Sequence, residues 1–226
     1  MPDSLPWTHS AEANQLLAGD PLALLIGMLL DQQFKMEWAF HSPHALQERL
    51  GRPLDAGDIA SIDEETFEAI FKGPPALHRF PNSMGRRTQA LCAVIADQYD
   101  GDAAAIWRTA EDGRELLERL RALPGFGDAK SRIFVGIVGK RLGEGPHGWE
   151  EVAADWPSIA DISDFDQIGA LREAKSQKKA EAKAKSQTAS SRRATSRKAP
   201  PKKAATKKTP TRKAAAKNAP AEKDGT

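Results

Sequence analysis

The chain of 226 residues has one cysteine, few aromatic side chains (6%) and no apolar run approaching the ~20 residues needed to cross a bilayer. With Cys92 alone, neither an internal disulfide nor a four-cysteine iron–sulfur cluster can form. Its setting, Ala90-Leu91-Cys92-Ala93-Val94-Ile95, reads as a small apolar core position. Histidines and carboxylates nowhere fall at metal-ligand spacing, so neither a side-chain metal site nor a cofactor is expected. Met1–Asp20 holds no long apolar run, which argues against a signal peptide and against a membrane partner and predicts a cytoplasmic location. Sustained β alternation is also missing. The expected fold class is therefore all-α.

From residue 175 onward the chain has no aromatic and no large aliphatic side chain; it repeats Lys, Ala, Pro, Thr and Ser. Such a segment cannot bury enough apolar surface to offset its ordering entropy, and disorder is predicted. It holds 17 basic and 3 acidic residues, a charge of +14, and leaves −12 on residues 1–174. The near-neutral total conceals this division. The tail resembles the lysine-, alanine- and proline-rich tails of linker histones and of some bacterial nucleoid proteins, which implies a polyanionic partner bound through counterion release and a nucleoid-associated location. A solubilising tail without a specific partner is the alternative reading.

Residues 1–174 suit one globular domain. Helical patterns run over Ala11–Leu17, Pro21–Gln33, Phe40–Leu50, Asp55–Ser61, Glu64–Phe71, Met84–Tyr99, Ala103–Trp107, Arg114–Leu120 and Asp128–Leu142, with a last helix over Asp166–Glu173. Asp20 reads as the cap of the second helix, with Pro21 at its first turn.

Between two of these helices lies Leu123-Pro124-Gly125-Phe126-Gly127-Asp128-Ala129-Lys130. Gly125 and Gly127 can take backbone angles closed to other residues and carry no Cβ to hold a phosphate off the main chain. Asp128 reads as the cap of the second helix, whose free N–H groups and positive dipole end would face an anion, with Lys130 adding a movable charge. The residues alone also permit a plain helix stop followed by a new helix.

The five residues Leu123-Pro124-Gly125-Phe126-Gly127 resemble the helix-hairpin-helix of the HhH-GPD superfamily of DNA glycosylases, whose hairpin commonly reads Leu-Pro-Gly-hydrophobic-Gly. The resemblance implies a bilobal all-α domain with duplex DNA across the cleft between lobes. The same hairpin occurs in polymerases, ligases and nucleases, where it grips DNA without chemistry. A second likeness lies ninety residues upstream in Leu29-Leu30-Asp31-Gln32-Gln33. A glutamine at the end of such an apolar helix reaches, in the superfamily, into the gap left by an extruded base. That implies this role for Gln33, with Gln32 beside it, although a glutamine pair can equally be solvated surface. Phe34, Trp38 and Phe40 follow and are candidates to stack on an extruded base or to pack in the core. A monomer is expected.

Departures from the family bear on chemistry. In glycosylases that also cleave the strand, a lysine two places after the second hairpin glycine forms a Schiff base; here that position is Ala129. Lys130 is turned by roughly 100° from it on a helix. The family's aspartate, about eighteen residues further on, has no counterpart in Gly143-Glu144-Gly145-Pro146-His147-Gly148-Trp149-Glu150-Glu151. Glu144, Glu150, Glu151 and Asp155 are the nearby carboxylates that could replace it, and His147 reads as an exposed loop residue. Monofunctional base excision is the leading expectation. The alternative is a catalytically inactive hairpin module that senses distorted duplex or packages DNA. The resemblance also allows a backbone-bound monovalent cation at the hairpin, which would leave no side-chain signature. The basic residues Arg86, Arg87, Lys130, Arg132, Lys140 and Arg141 are expected near the DNA face, and the acidic stretches 55–68 and 97–112 away from it.

Overall fold

The computed structural model describes residues 2–174 together with 176 and 177; the remainder of the tail, with the disorder and polyanion binding expected of it, lies outside the described residues. The domain is all-α, with no strand among the described residues. Its helices are α1 (Ala11–Gly19), α2 (Pro21–Leu30), α3 (Met36–Leu50), α4 (Ala56–Ser61), α5 (Glu64–Lys72), α6 (Pro81–Gln98), α7 (Ala105–Arg108), α8 (Gly113–Ala122), α9 (Asp128–Ile137) and α10 (Trp149–Val152). A π turn, Val138–Leu142, extends α9, a 3-10 turn covers Ile159–Asp161, and a last helix, α11, covers 167–174. No single described helix is long and apolar enough to cross a membrane.

Helix α2 is the axis of the core. Asp20 caps it as expected, its Oδ1 accepting from the N–H groups of Leu22 (2.8 Å) and Ala23 (3.1 Å), with Pro21 in the first turn. Every residue from Leu22 to Leu30 is buried, so this helix has no solvent face. It crosses α3 closely at Gly27, where a Cβ would stand 2.8 Å from the Phe40 ring. Phe40 is itself fully buried and edge-on to Trp7 at 4.9 Å, so of its two readings the core one holds.

The end of α2 differs from the periodicity. The helix stops at Leu30 rather than Gln33: Asp31 leaves helical geometry at ψ 66°, and Gln33 takes the left-handed φ of 55°. Helix α3 then begins at Met36, four residues before Phe40. At the other end of the domain α9 gives way to the π turn, in which Gly139 lies against Trp149: a Cβ there would meet the indole at 2.3 Å. The same ring covers Gly145 and the Trp149 backbone crowds Gly113, so the loop after the π turn is drawn toward the start of α8. The histidine carbonyl of His147 accepts from the Gly113 N–H there at 2.9 Å.

Candidate nucleic-acid interface

Helix α8 ends at Ala122, Leu123 is extended (φ −71°, ψ 140°), and the Phe126 N–H donates to the Leu123 carbonyl at 3.1 Å. Proline second and glycine at φ 82° third give this turn the arrangement of type II. Gly125 is required twice over, because a Cβ would also stand 2.4 Å from Leu29 Cδ1 at the end of α2. Leu123 and Phe126 anchor the turn in the core, Phe126 at 6.0 Å from Phe134.

Gly127 has nothing within 4 Å of its missing Cβ and caps α9 with extended backbone (φ −88°, ψ 172°). This corrects the expectation for Asp128, which is the first helical residue. Its carboxylate is taken by the Arg121 guanidinium and so does not bond the α9 backbone. The first-turn N–H groups of α9, with no side-chain cap among the described residues, open onto a groove of about 650 Å³ bordered by Gly125 to Lys130, Gln32 and Arg87.

Lys130 borders this groove but is not a freely movable charge. Its ammonium donates to the Leu29 carbonyl at 2.7 Å and lies 5.7 Å from the centre of the Phe126 ring. Burial pushes its pKa down to about 8, against the pull of Asp31 and with the repulsion of Arg87.

The turn after α2 adjoins the hairpin. Gln32 is half-buried: its side-chain oxygen accepts from Arg87 (3.2 Å) and its carbonyl faces His78 Nε2 (3.0 Å). Gln33 is exposed and stands between two concavities. A small one of about 190 Å³ contains Phe80 and Arg87. A larger cleft, about 820 Å³, is bordered by Asp31, Phe34, Met36, Trp38, His78, Arg79, Ile168 and Arg172. Phe34 lies 4.8 Å from the His78 ring, and Trp38 and Phe80 are the exposed large hydrophobic residues among those described. Helix α11 closes one side of the cleft, tied by Arg172 to Glu37 at 2.6 Å. Neither Phe80 nor Asp31 stood out in the sequence: an aromatic beside Pro81 and a single acid just after an apolar run carry no periodic signal.

The remaining expected residues fall elsewhere. Of the six basic residues, Arg87 and Lys130 border the groove; Arg86 pairs with Glu64 and Glu68, Arg132 donates to the Ala153 carbonyl, Lys140 pairs with Asp161, and Arg141 has a buried Nε. The acidic stretches do lie away from the groove, with Asp55, Asp63 and Asp112 spent on capping α4, α5 and α8.

None of the four candidate carboxylates borders the groove or the cleft as described. Glu144 accepts from Trp107 Nε1 (2.6 Å) and twice from Arg108 (3.0 Å each), bonds that hold its pKa below the ordinary carboxylate value. Glu151 lies near Arg114 (3.9 Å) and the exposed Glu150 precedes it in α10; both belong to the start of α8, about 14 Å by helical rise from the hairpin end. Asp155 is exposed, next to Ala154, whose N–H donates to the Arg132 carbonyl. His147 borders a small concavity with Asp112 and Glu151. Cys92 is fully buried in α6 and burial raises its thiol pKa, so it is an inert core residue.

Comparison with known proteins gives one similarity. A UPF0502 protein of Citrifermentans bemidjiense is 30% identical over 142 residues, 56% of this chain and 58% of that protein. The chain thus spans little more than half the length of this relative, whose printed name states no activity. No family model matches the chain, and no solved structure matches it.

Proposed function

We propose that residues 1–174 form a bilobal helix-hairpin-helix domain of the DNA glycosylase type, which grips duplex DNA, extrudes a damaged base and hydrolyses its N-glycosidic bond without a Schiff base. The observation that carries this reading is a shared edge. Gln32 borders the groove onto which the α9 N–H groups open, and the next residue, Gln33, stands at the mouth of the aromatic cleft. The groove for a phosphate and the cleft for a base are then bordered by two consecutive residues of the chain. The hairpin supplies main-chain donors to the phosphate, Gln33 offers both donor and acceptor to the unpaired partner base, and Phe34 and Trp38 offer rings to the extruded one.

The chemistry needs a carboxylate to activate water or stabilise positive charge on the sugar. Asp31 is the acid that borders the cleft, and we assign it that role. The +14 tail adds sequence-independent affinity and keeps the protein on DNA in the nucleoid. One observation favours the second reading, a binding module without catalysis: Glu144, in the loop where the family carries its acid, is engaged by Arg108 and Trp107.

Incubation with duplexes bearing alkylated, oxidised and deaminated bases, followed by alkali cleavage at abasic sites, tests both. Base release by the wild type that disappears in Asp31→Asn while binding persists is the expected result. Tight lesion binding with no release supports the module, and a domain that binds no duplex rejects both.

A further inference from the structure

His78 sits between the two features that flank the cleft, and it is 2% exposed. Its ring makes two hydrogen bonds of opposite kind. Nδ1 faces the Phe80 N–H at 3.0 Å, and a backbone N–H can only donate, so Nδ1 is the acceptor and carries no proton. Nε2 faces the Gln32 carbonyl at 3.0 Å, and a carbonyl can only accept, so Nε2 carries the proton. The two backbone partners thus fix one neutral tautomer. An imidazolium would forfeit the Phe80 bond, since Nδ1 would then carry a proton facing another donor. Burial separately lowers this pKa against the opposing effect of the Gln32 and Leu30 carbonyls, and the charge of Lys130 lowers it further.

The bond to Gln32 spans 46 positions of the chain and the bond to Phe80 spans two, so the ring ties two distant segments. One holds the turn in which Gln33 is strained into the left-handed region; the other holds the residue before Pro81, whose phenyl ring is exposed at 43%. The imidazole also has tilted aromatic neighbours, Phe34 at 4.8 Å and Phe80 at 6.0 Å between ring centres. With both nitrogens engaged by the backbone, His78 has no ring nitrogen left to bond a ligand. Its chemistry is spent on the relative position of Gln33 and Phe80.

We propose that His78 is a positioning residue that locks the Gln33 turn and the exposed Phe80 into one rigid lip, so that both side chains meet a disrupted base pair together. The proposal rests on the DNA-binding reading for its purpose, and on the tautomer for its mechanism. These two parts are tested separately.

The mechanism is read directly by 15N NMR of the full-length protein near neutral pH. The expected spectrum shows His78 Nε2 bearing hydrogen and Nδ1 bare; the opposite tautomer or an imidazolium overturns the lock whatever the protein binds. The purpose is read by the ratio of affinities for a duplex containing a tetrahydrofuran abasic-site analogue and for the intact duplex, at salt that suppresses tail binding. Two variants divide the lock. In His78→Asn the amide oxygen can replace Nδ1 toward Phe80 but nothing reaches Gln32; in His78→Gln the longer amide can donate to Gln32 but not accept from Phe80. Each is expected to lower the ratio about tenfold, the scale of one buried hydrogen bond lost, while binding to intact duplex through the hairpin changes less than about twofold. Hydrogen exchange at the Phe80 N–H should rise in His78→Gln and stay slow in His78→Asn. Equal exchange in the two folded variants, or an unchanged ratio in both, overturns the positioning role. A wild type with the expected tautomer and no preference for the abasic-site duplex overturns the lesion-recognition purpose and leaves the lock standing.

Discussion

Lys130 and Leu29, 101 residues apart, are joined by a 2.7 Å hydrogen bond from the ammonium of one to the carbonyl of the other. Leu29 also fills the space beside Gly125 that a Cβ would need. The hairpin therefore meets Leu29, near the end of α2, by a main-chain acceptor on one side and an isobutyl group on the other. The carbonyl is one of the last four of α2, which find no partner within their own helix, so a cation is favourable there. What the sequence presents as a mobile charge is a fixed strut between the hairpin and the end of α2.

The strut has a pH signature. Burial lowers the Lys130 pKa from 10.5 to about 8, so between those values the unfolded chain binds more protons at this residue than the folded one, and stability rises with pH across that window. Below about pH 8 the cost of burying the charge is fully present. Lys130→Met lacks the dependence. Urea unfolding of both proteins from pH 7 to 10.5 should show the wild type gaining on the variant by up to about 3 kcal/mol. Parallel pH curves would show that the ammonium is solvated.

The two hairpin glycines separate folding from binding. Gly127 has open space around its Cβ position and an ordinary φ, so Gly127→Val should stay folded while its side chain enters the groove; a loss of about tenfold in duplex affinity with unchanged thermal stability is expected. Gly125→Ala must strain φ and displace Leu29, so it should lower stability by about 1–3 kcal/mol as well. Anisotropy titrations beside thermal melts check both. Full affinity in folded Gly127→Val would remove the groove as the phosphate site.

The sequence revealed the hairpin and the capped start of α2 because each is local: a proline and a glycine select a turn within four residues, and an aspartate bonds N–H groups two and three residues on. The end of α2 was not legible, since Asp31-Gln32-Gln33 contains no glycine or proline to mark the stop or the left-handed φ of 55° at Gln33. Nor were the long-range ties His78–Gln32 and Lys130–Leu29 legible. Side-chain periodicity reports which face is apolar and carries no record of which polar atom will bond which carbonyl. The stretch 143–151 was legible in part for a related reason: its carboxylates were visible, but Trp149 settling against Gly139, Gly145 and Gly113 was not.

Glu144 is structural by its contacts. Glu144→Ala leaves the partly buried Trp107 indole N–H and the Arg108 guanidinium without their acceptor, and a loss of about 1–3 kcal/mol is expected. Base release per folded molecule should be unchanged. A variant of wild-type stability that has lost release would return Glu144 to the chemistry.

Truncation after Gln177 removes 16 basic and 3 acidic residues and leaves the domain at −11. Affinity for intact duplex should collapse, and the slope of log affinity against log salt should flatten toward the few contacts of the hairpin and Arg87. Equal slopes for the two proteins would mean that the tail does not engage DNA.

Gln33 sets stability against function. A non-glycine residue at φ 55° costs about 1 kcal/mol, and glycine carries no such cost, so Gln33→Gly should be as stable as the wild type or more so, once the greater freedom of unfolded glycine is counted. The substitution also deletes the amide that stands exposed beside the cleft. Binding to intact duplex should persist, because the α9 N–H groups and Arg87 are untouched, whereas preference for the abasic-site duplex should fall about tenfold. Gln32→Ala, which removes only the Arg87 contact at 3.2 Å, should have the smaller effect. The two quantities, melting temperature and affinity ratio, move in opposite directions only if the strained turn is kept for what its side chain does. A Gln33→Gly protein that loses stability and keeps its preference would show that the turn serves the fold alone.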